Sequence, residues 1–293
     1  MKAFSKTHPQ AFGFAVTFAG VAFFFPDALV IRMAQIDTMT FAVWRGIFAG
    51  VVTLIGLALF VPATFRDWRG LFTSPALAIM LLQGIGSLLF LGSFGHTTAA
   101  NALLILAAAP FLAALIAALT LGEKVSRATW AAIVAVFAGV AIIAGGSLQG
   151  GGIFGDVLAL GNALTIALYY VVLRAAPNRN LLLPIAFGYF LSSLLALPFA
   201  PLTEPTLQQW ALMALSGGAI LSGGAALLMI GPRYLPAAEV ALITMVEIVV
   251  GPLLVWWVLG EGPARASLIG GTVILLAIIT HAAIRLRSGA SKA

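Results

Sequence analysis

Two stretches decide how this chain is built: residues 99–123, AANALLILAAAPFLAALIAALTLGE, and residues 237–261, AAEVALITMVEIVVGPLLVWWVLGE. Each is a long apolar run closed by glycine and glutamate, at Gly122 and Glu123 and again at Gly260 and Glu261, so the registers differ by 261 − 123 = 138 residues. That offset is nearly half of the 293 residues. Five membrane-length segments separate equivalent points, and an odd number returns the second copy to the bilayer from the opposite side. Two halves of opposite orientation are the architecture of a secondary transporter.

Composition agrees with that reading. With 62% hydrophobic and 8% charged residues, the chain has too few charges to cover a water-soluble surface. A helix needs roughly 20 apolar residues to cross the hydrocarbon. Ten runs of about that length follow one another: 11–31, 40–61, 75–94, 99–121, 128–144, 152–175, 181–200, 209–230, 237–259 and 266–284. Transmembrane strands would alternate in polarity, which these runs do not. The expected fold is an all-α integral membrane protein, ten transmembrane helices forming two inverted five-helix repeats over 1–145 and 152–293.

Charge orients the whole. Lys2, Lys6, Arg66, Arg69, Lys124, Arg127, Arg174, Arg179, Arg233, Arg285, Arg287 and Lys292 fall at the termini or in even-numbered gaps, against Arg32 and Arg265 on the other side. The bias places both termini in the cytoplasm. The net charge of +6 is then a cytoplasmic rim facing anionic lipid, and nucleic acid is not an expected partner. Lys2 and Lys6 before an apolar run imitate a signal peptide, but that run is long and another follows at once, so it reads as an uncleaved first helix. The absence of cysteine removes disulfides, thiolate metal sites and cysteine nucleophiles.

Prolines mark candidate breaks, because each removes a backbone donor and sets its ring against a carbonyl. They are Pro26 in the first run, Pro110 in the fourth, and Pro252 beside Gly251 in the ninth. The fourth and ninth runs are repeat-equivalent, and paired interruptions point to a central binding site. Small residues crowd the eighth run, at Ser216, Gly217, Gly218, Ser222, Gly223 and Gly224, and Gly46 and Gly50 of the second stand in GxxxG spacing. Their expected role is close helix packing.

Polar groups at membrane depth are few, and each needs a partner, water or a function. Glu247 lies in the middle of the ninth run, where a carboxyl group screened from water is suited to take up and release a proton. A plain hydrogen bond to a neighbouring helix is the rival explanation. Arg45 and Asp27 lie at similar depth in the second and first runs and are placed to pair. Candidate substrate contacts are Trp44, Arg45, Gln83, Asn101, Asn162 and Tyr169, with interhelical bonding the alternative for the amides. Trp210, Trp256 and Trp257 fit an outer aromatic belt.

The chain resembles the drug/metabolite transporter superfamily, in its ten-helix EamA-type branch. The likeness runs through Trp44, Arg45 and Gly46, through Pro110 with Gly122 and Glu123, and through Gly155 and Asp156 opening the sixth run, followed by Ala167, Leu168, Tyr169 and Tyr170. Gly260 and Glu261 match the second copy, while Pro252 departs from the register of Pro110. The resemblance implies export of amino acids and other small metabolites, the bacterial exporters of aromatic and other amino acids being most alike. It also implies the bacterial cytoplasmic membrane.

The residues themselves bear on substrate class. A phosphate-bearing solute would need fixed positive charge, and Arg45 is the only arginine or lysine in the interior of the ten runs, Arg174 standing at the end of the sixth. A zwitterionic or neutral metabolite fits better. No catalytic dyad is expected from His8, His96 and His281, which lie in the tail and at opposite ends of helices, and no metal cluster or cofactor is expected. The expected partners are a small-molecule substrate and the lipid bilayer, with the protein acting as a monomer. A passive facilitator or channel is the alternative function.

Overall fold

Hydrocarbon offers the backbone no outside hydrogen-bond partner, so long apolar runs fold as helices and end where polar residues, glycine or proline return the chain to water. In a computed structural model, residues 9–66, 68–122, 125–150, 152–176, 181–201, 204–228, 230, 234–235 and 237–290 are described. Glu123 lies outside them, as do Lys2, Lys6, His8, Lys124, Arg179, Arg233 and Lys292 of the sequence reading.

Among the described residues, ten long helical segments follow in order, several of them in pieces. They are α1 (Pro9–Phe24, then Asp27–Ala34), α2 (Thr38–Phe60), α3 (Ser74–His96), α4 (Ala99–Leu106, then Ala109–Leu121) and α5 (Arg127–Gly150). The second set is α6 (Ile153–Ala175), α7 (Leu182–Ala196), α8 (Leu207–Ala214, Leu215–Leu221, Ser222–Leu228), α9 (Ala237–Leu259) and α10 (Arg265–Ala290). Among the described residues, eight spans are long and apolar enough to cross a membrane, and α9 and α10 contribute the shorter apolar stretches Val246–Leu259 and Arg265–His281. The first run proves longer than 11–31, reaching Ala34 beyond a break.

Proline acts differently in the three helices that carry a candidate break. Pro26 stands at the cap of the second piece of α1 after the helix stops at Phe24. Pro110 opens the second piece of α4 after turns at Ala107 and Ala108. In α9 the expected interruption is absent, since Ala237–Leu259 continues as helix through Pro252. There Gly251 serves close approach instead: a Cβ on it would stand 2.7 Å from the Leu103 side chain of α4. Both glycines that close the repeated stretches take the left-handed conformation, with φ of 69° at Gly122 and 71° at Gly260.

The eighth run holds a feature that small-residue counting missed, a π-helical turn over Leu215–Leu221. Ser222 Oγ reaches back to the Gly217 carbonyl at 3.1 Å and to the Ala49 carbonyl of α2, also at 3.1 Å. A Cβ on Gly217 would run into the Arg45 carbonyl, so the glycine permits α8 to lie directly on α2.

The two ends of the bundle are packed differently. At the end carrying Arg32, Thr97 and Glu261, Ala28, Phe94, Ala99, Ala102, Leu103 and Val255 form one buried cluster from α1, α3, α4 and α9. Sequence from both halves interlocks there. At the opposite end, Pro9–Phe24 packs on Ser222–Leu228 and on α9, around Val21, Leu235 and Ile243. Ala109–Leu121 packs on α6 and α5 instead. We call the first end sealed, because residues of both halves interlock there, and the second parted, because among the described residues α4 and α9 pack on different partners there; a cleft lined by Ile31, Arg32, Phe41, Leu91 and Phe94 lies beside the first.

Candidate functional site

The break in α1 brings a charge to the centre of the bundle. Because Pro26 cannot donate a backbone bond, the helix restarts at Asp27, whose carboxylate lies in the first turn of the new piece, where the helix dipole favours it. Arg45 Nη2 donates to Asp27 Oδ2 at 2.6 Å. Ser216 Oγ donates to Asp27 Oδ1 at 2.6 Å and accepts from Arg45 Nε at 2.8 Å. The guanidinium carbon lies 5.4 Å from the centroid of the Phe90 ring. All three members of this triad are buried, so α1, α2 and α8 are tied by a charge pair that water does not screen.

Glu247 stands outside both ion pairs found among the described residues, Arg45 with Asp27 and Arg32 with Glu261. It is partly exposed near the middle of α9 and lies within electrostatic reach of Asp27 and of Tyr170 on α6. Tyr170 is more than half exposed, at 54%.

The remaining candidates from sequence are distributed over helix crossings. Trp44 packs edge-to-face on Trp210 with centroids 4.4 Å apart. Gln83 lies against Gly188 of α7, where a Cβ would stand 2.5 Å away. Asn162 is buried where α3 crosses α6, near Gly86 and Thr165. Tyr169 packs beside Ala76, Ile79 and Leu181 and touches the Tyr170 ring edge-on at 5.8 Å. Trp256 and Trp257 remain exposed, as a belt requires.

Asn101 belongs to a second buried network that sequence reasoning did not assemble. Its amide nitrogen donates to Ser147 Oγ at 2.8 Å, and to Thr97 Oγ1 and Asp156 Oδ1 at 3.2 Å each. Thr97 Oγ1 donates to Asp156 Oδ1 at 2.7 Å, and Ser267 Oγ donates to Asn101 Oδ1. This box joins α4, α5, α6 and α10 at the sealed end. Asp156 in the Gly155 and Asp156 pair was the available signal, but only folding brings Thr97 and Asn101 to it.

The fold and these groups define a multi-pass helical membrane protein whose halves meet around charged side chains at membrane depth. The sequence pattern of the EamA-like transporter family matches residues 6–145 and again residues 153–281. The chain belongs to that family, whose members transport small molecules across membranes. A solved structure described as "Crystal structure of protein" is similar in fold, with a TM-score of 0.63 at 18% identity, covering 94% of this chain and 96% of the other. No curated protein matches the chain.

Proposed function

We propose that the protein exports small zwitterionic or neutral metabolites, amino acids foremost, across the bacterial cytoplasmic membrane by alternating access. It works as a monomer with both termini in the cytoplasm. The observations that support this reading are the match of the EamA-like family to both halves and the contrast between ends: at one, α4 and α9 interlock, and at the other they pack on different partners among the described residues. With the positive-inside orientation, the parted end faces the cytoplasm, where an exported solute loads. Arg45 is already neutralised by Asp27, which leaves no free guanidinium at this depth for a phosphate and supports a solute without net negative charge.

Export is driven through Glu247, which exchanges a proton against the solute. The test is reconstitution of purified protein in liposomes and counterflow of labelled amino acids against an unlabelled panel. Saturable counterflow is expected; conductance beyond carrier turnover, or no counterflow with any member, would sink the proposal and favour a channel. Glu247→Gln is expected to abolish transport driven by a pH gradient and to spare solute exchange, and unchanged pH coupling would remove Glu247 from this role.

A further inference from the structure

The sealed end carries a polar closure above its apolar cluster. Glu261 follows Gly260, whose left-handed turn redirects the chain after α9. Its Oε1 accepts from the Ala99 backbone N–H at 2.9 Å and from Arg32 Nη2 at 3.0 Å. Arg32 Nη2 also donates to the Thr97 carbonyl at 2.6 Å, and its guanidinium lies 5.9 Å from the Phe94 ring centroid. One carboxylate thus meets the last turn of α1 and the first turn of α4.

Three features make this more than a surface ion pair. The Ala99 N–H is one of the donors that a helix start leaves without an internal partner, so the carboxylate caps α4 and meets the positive end of its dipole. The residues that receive Glu261 are held rigidly, because the Thr97 side chain is fixed in the box with Asn101 and Asp156. Most tellingly, Arg32, Thr97 and Ala99 belong to the first half and Glu261 to the second. Bonds that join the two halves at this end must break if the proposed alternation parts them there.

We infer that Glu261 is the latch of the sealed end: its carboxylate, held by Arg32 and by the start of α4, stabilises the closed state selectively and must let go for solute to leave on that side. A contact made in one state and absent from the other shifts the balance between them by its full differential strength. The side chains of the pair are 25% and 28% exposed, so water can replace the lost bonds when the end opens. The latch therefore biases the equilibrium without freezing it. The inference rests on the alternating-access reading but is tested without transport.

The natural chain has no cysteine, so single reporters stand alone. Val255→Cys reports the sealed cluster, where the native side chain is 0% exposed, and Tyr170→Cys reports the parted end, where it is 54% exposed. Each is placed in otherwise native protein and in Glu261→Gln, in nanodiscs, and the rate of reaction with a charged maleimide is measured. Glu261→Gln is expected to speed labelling at Val255→Cys about tenfold and to slow it at Tyr170→Cys. Arg32→Gln, which leaves the helix cap in place, should give the same pair of changes to a smaller extent and serves if Glu261→Gln does not fold. Faster labelling at both reporters would mean general loosening and would overturn the latch, as would no change at Val255→Cys. Absence of amino-acid counterflow would defeat the proposed substrate while leaving this reciprocal result intact.

Discussion

The sealed and parted ends are built from related sequence and differ in what that sequence meets. At the sealed end the start of α4 and the end of α9 come together, Leu103 beside Gly251 and Ala99 against Glu261. At the parted end the second piece of α4 joins α6 and α5, while α9 joins the first piece of α1. The family pattern matches each half in turn, so related helices reach both ends, and the structure interlocks them at one. The asymmetry resides in the arrangement of the copies, which is the property that the proposed alternating access requires.

The comparison breaks most severely if the charged triad is opened, because the triad fastens α1 to α2 and α8 between the two ends. Asp27→Ala would leave Arg45 buried without its counter-charge, at a cost of about 3–5 kcal/mol. Thermal unfolding of the purified protein in detergent checks this, and a loss below about 1 kcal/mol would show that water reaches the triad. Next in size is the difference in accessibility itself. In otherwise native protein, Leu103→Cys at the sealed end is expected to react at least about tenfold more slowly with a charged maleimide than Tyr170→Cys, a difference of about 1.4 kcal/mol. Equal rates would erase the distinction between the ends.

The broken helix sharpens the comparison. Pro110→Ala restores a donor where α4 is interrupted, so transport is expected to slow several-fold as the two pieces become one rod. Pro252→Ala should have little effect on rate, since α9 is already continuous. Initial rates of counterflow compare the two; a larger loss at Pro252 would move the hinge to α9. The smallest effect is expected at the glycines that close the copies. Gly122→Ala and Gly260→Ala each force a side chain into left-handed backbone with open space around it, costing about 1 kcal/mol apiece in melting experiments. Unequal costs would show that only one turn is bound into its end.

Much of the architecture was legible in residues. The apolar runs gave the helices, Pro26 and Pro110 gave two of the breaks, and the shared depth of Asp27 and Arg45 anticipated their pairing. The expected break at Gly251 and Pro252 did not occur, because a proline removes one bond among many in α9 and the flanking turns carry the helix across it. The candidate site was less legible. Asn101, Asn162 and Gln83 are amides of one kind in sequence, yet Asn101 joins a network with Asp156, Asn162 sits at a helix crossing, and Gln83 lies against a glycine. Ser216 gave no separate signal among its small neighbours, although it completes the triad.

The sequence by itself determined that this chain crosses a membrane many times and repeats itself, since hydrocarbon accepts only long apolar helices and a repeat needs no partner to be recognised. Tertiary structure alone decided which helices meet at each end, which charges cancel and which carboxyl group stands outside the ion pairs among the described residues. Those outcomes depend on distances between helices far apart in the chain, and electrostatic and hydrogen-bond energies are set by such distances, not by the order of residues.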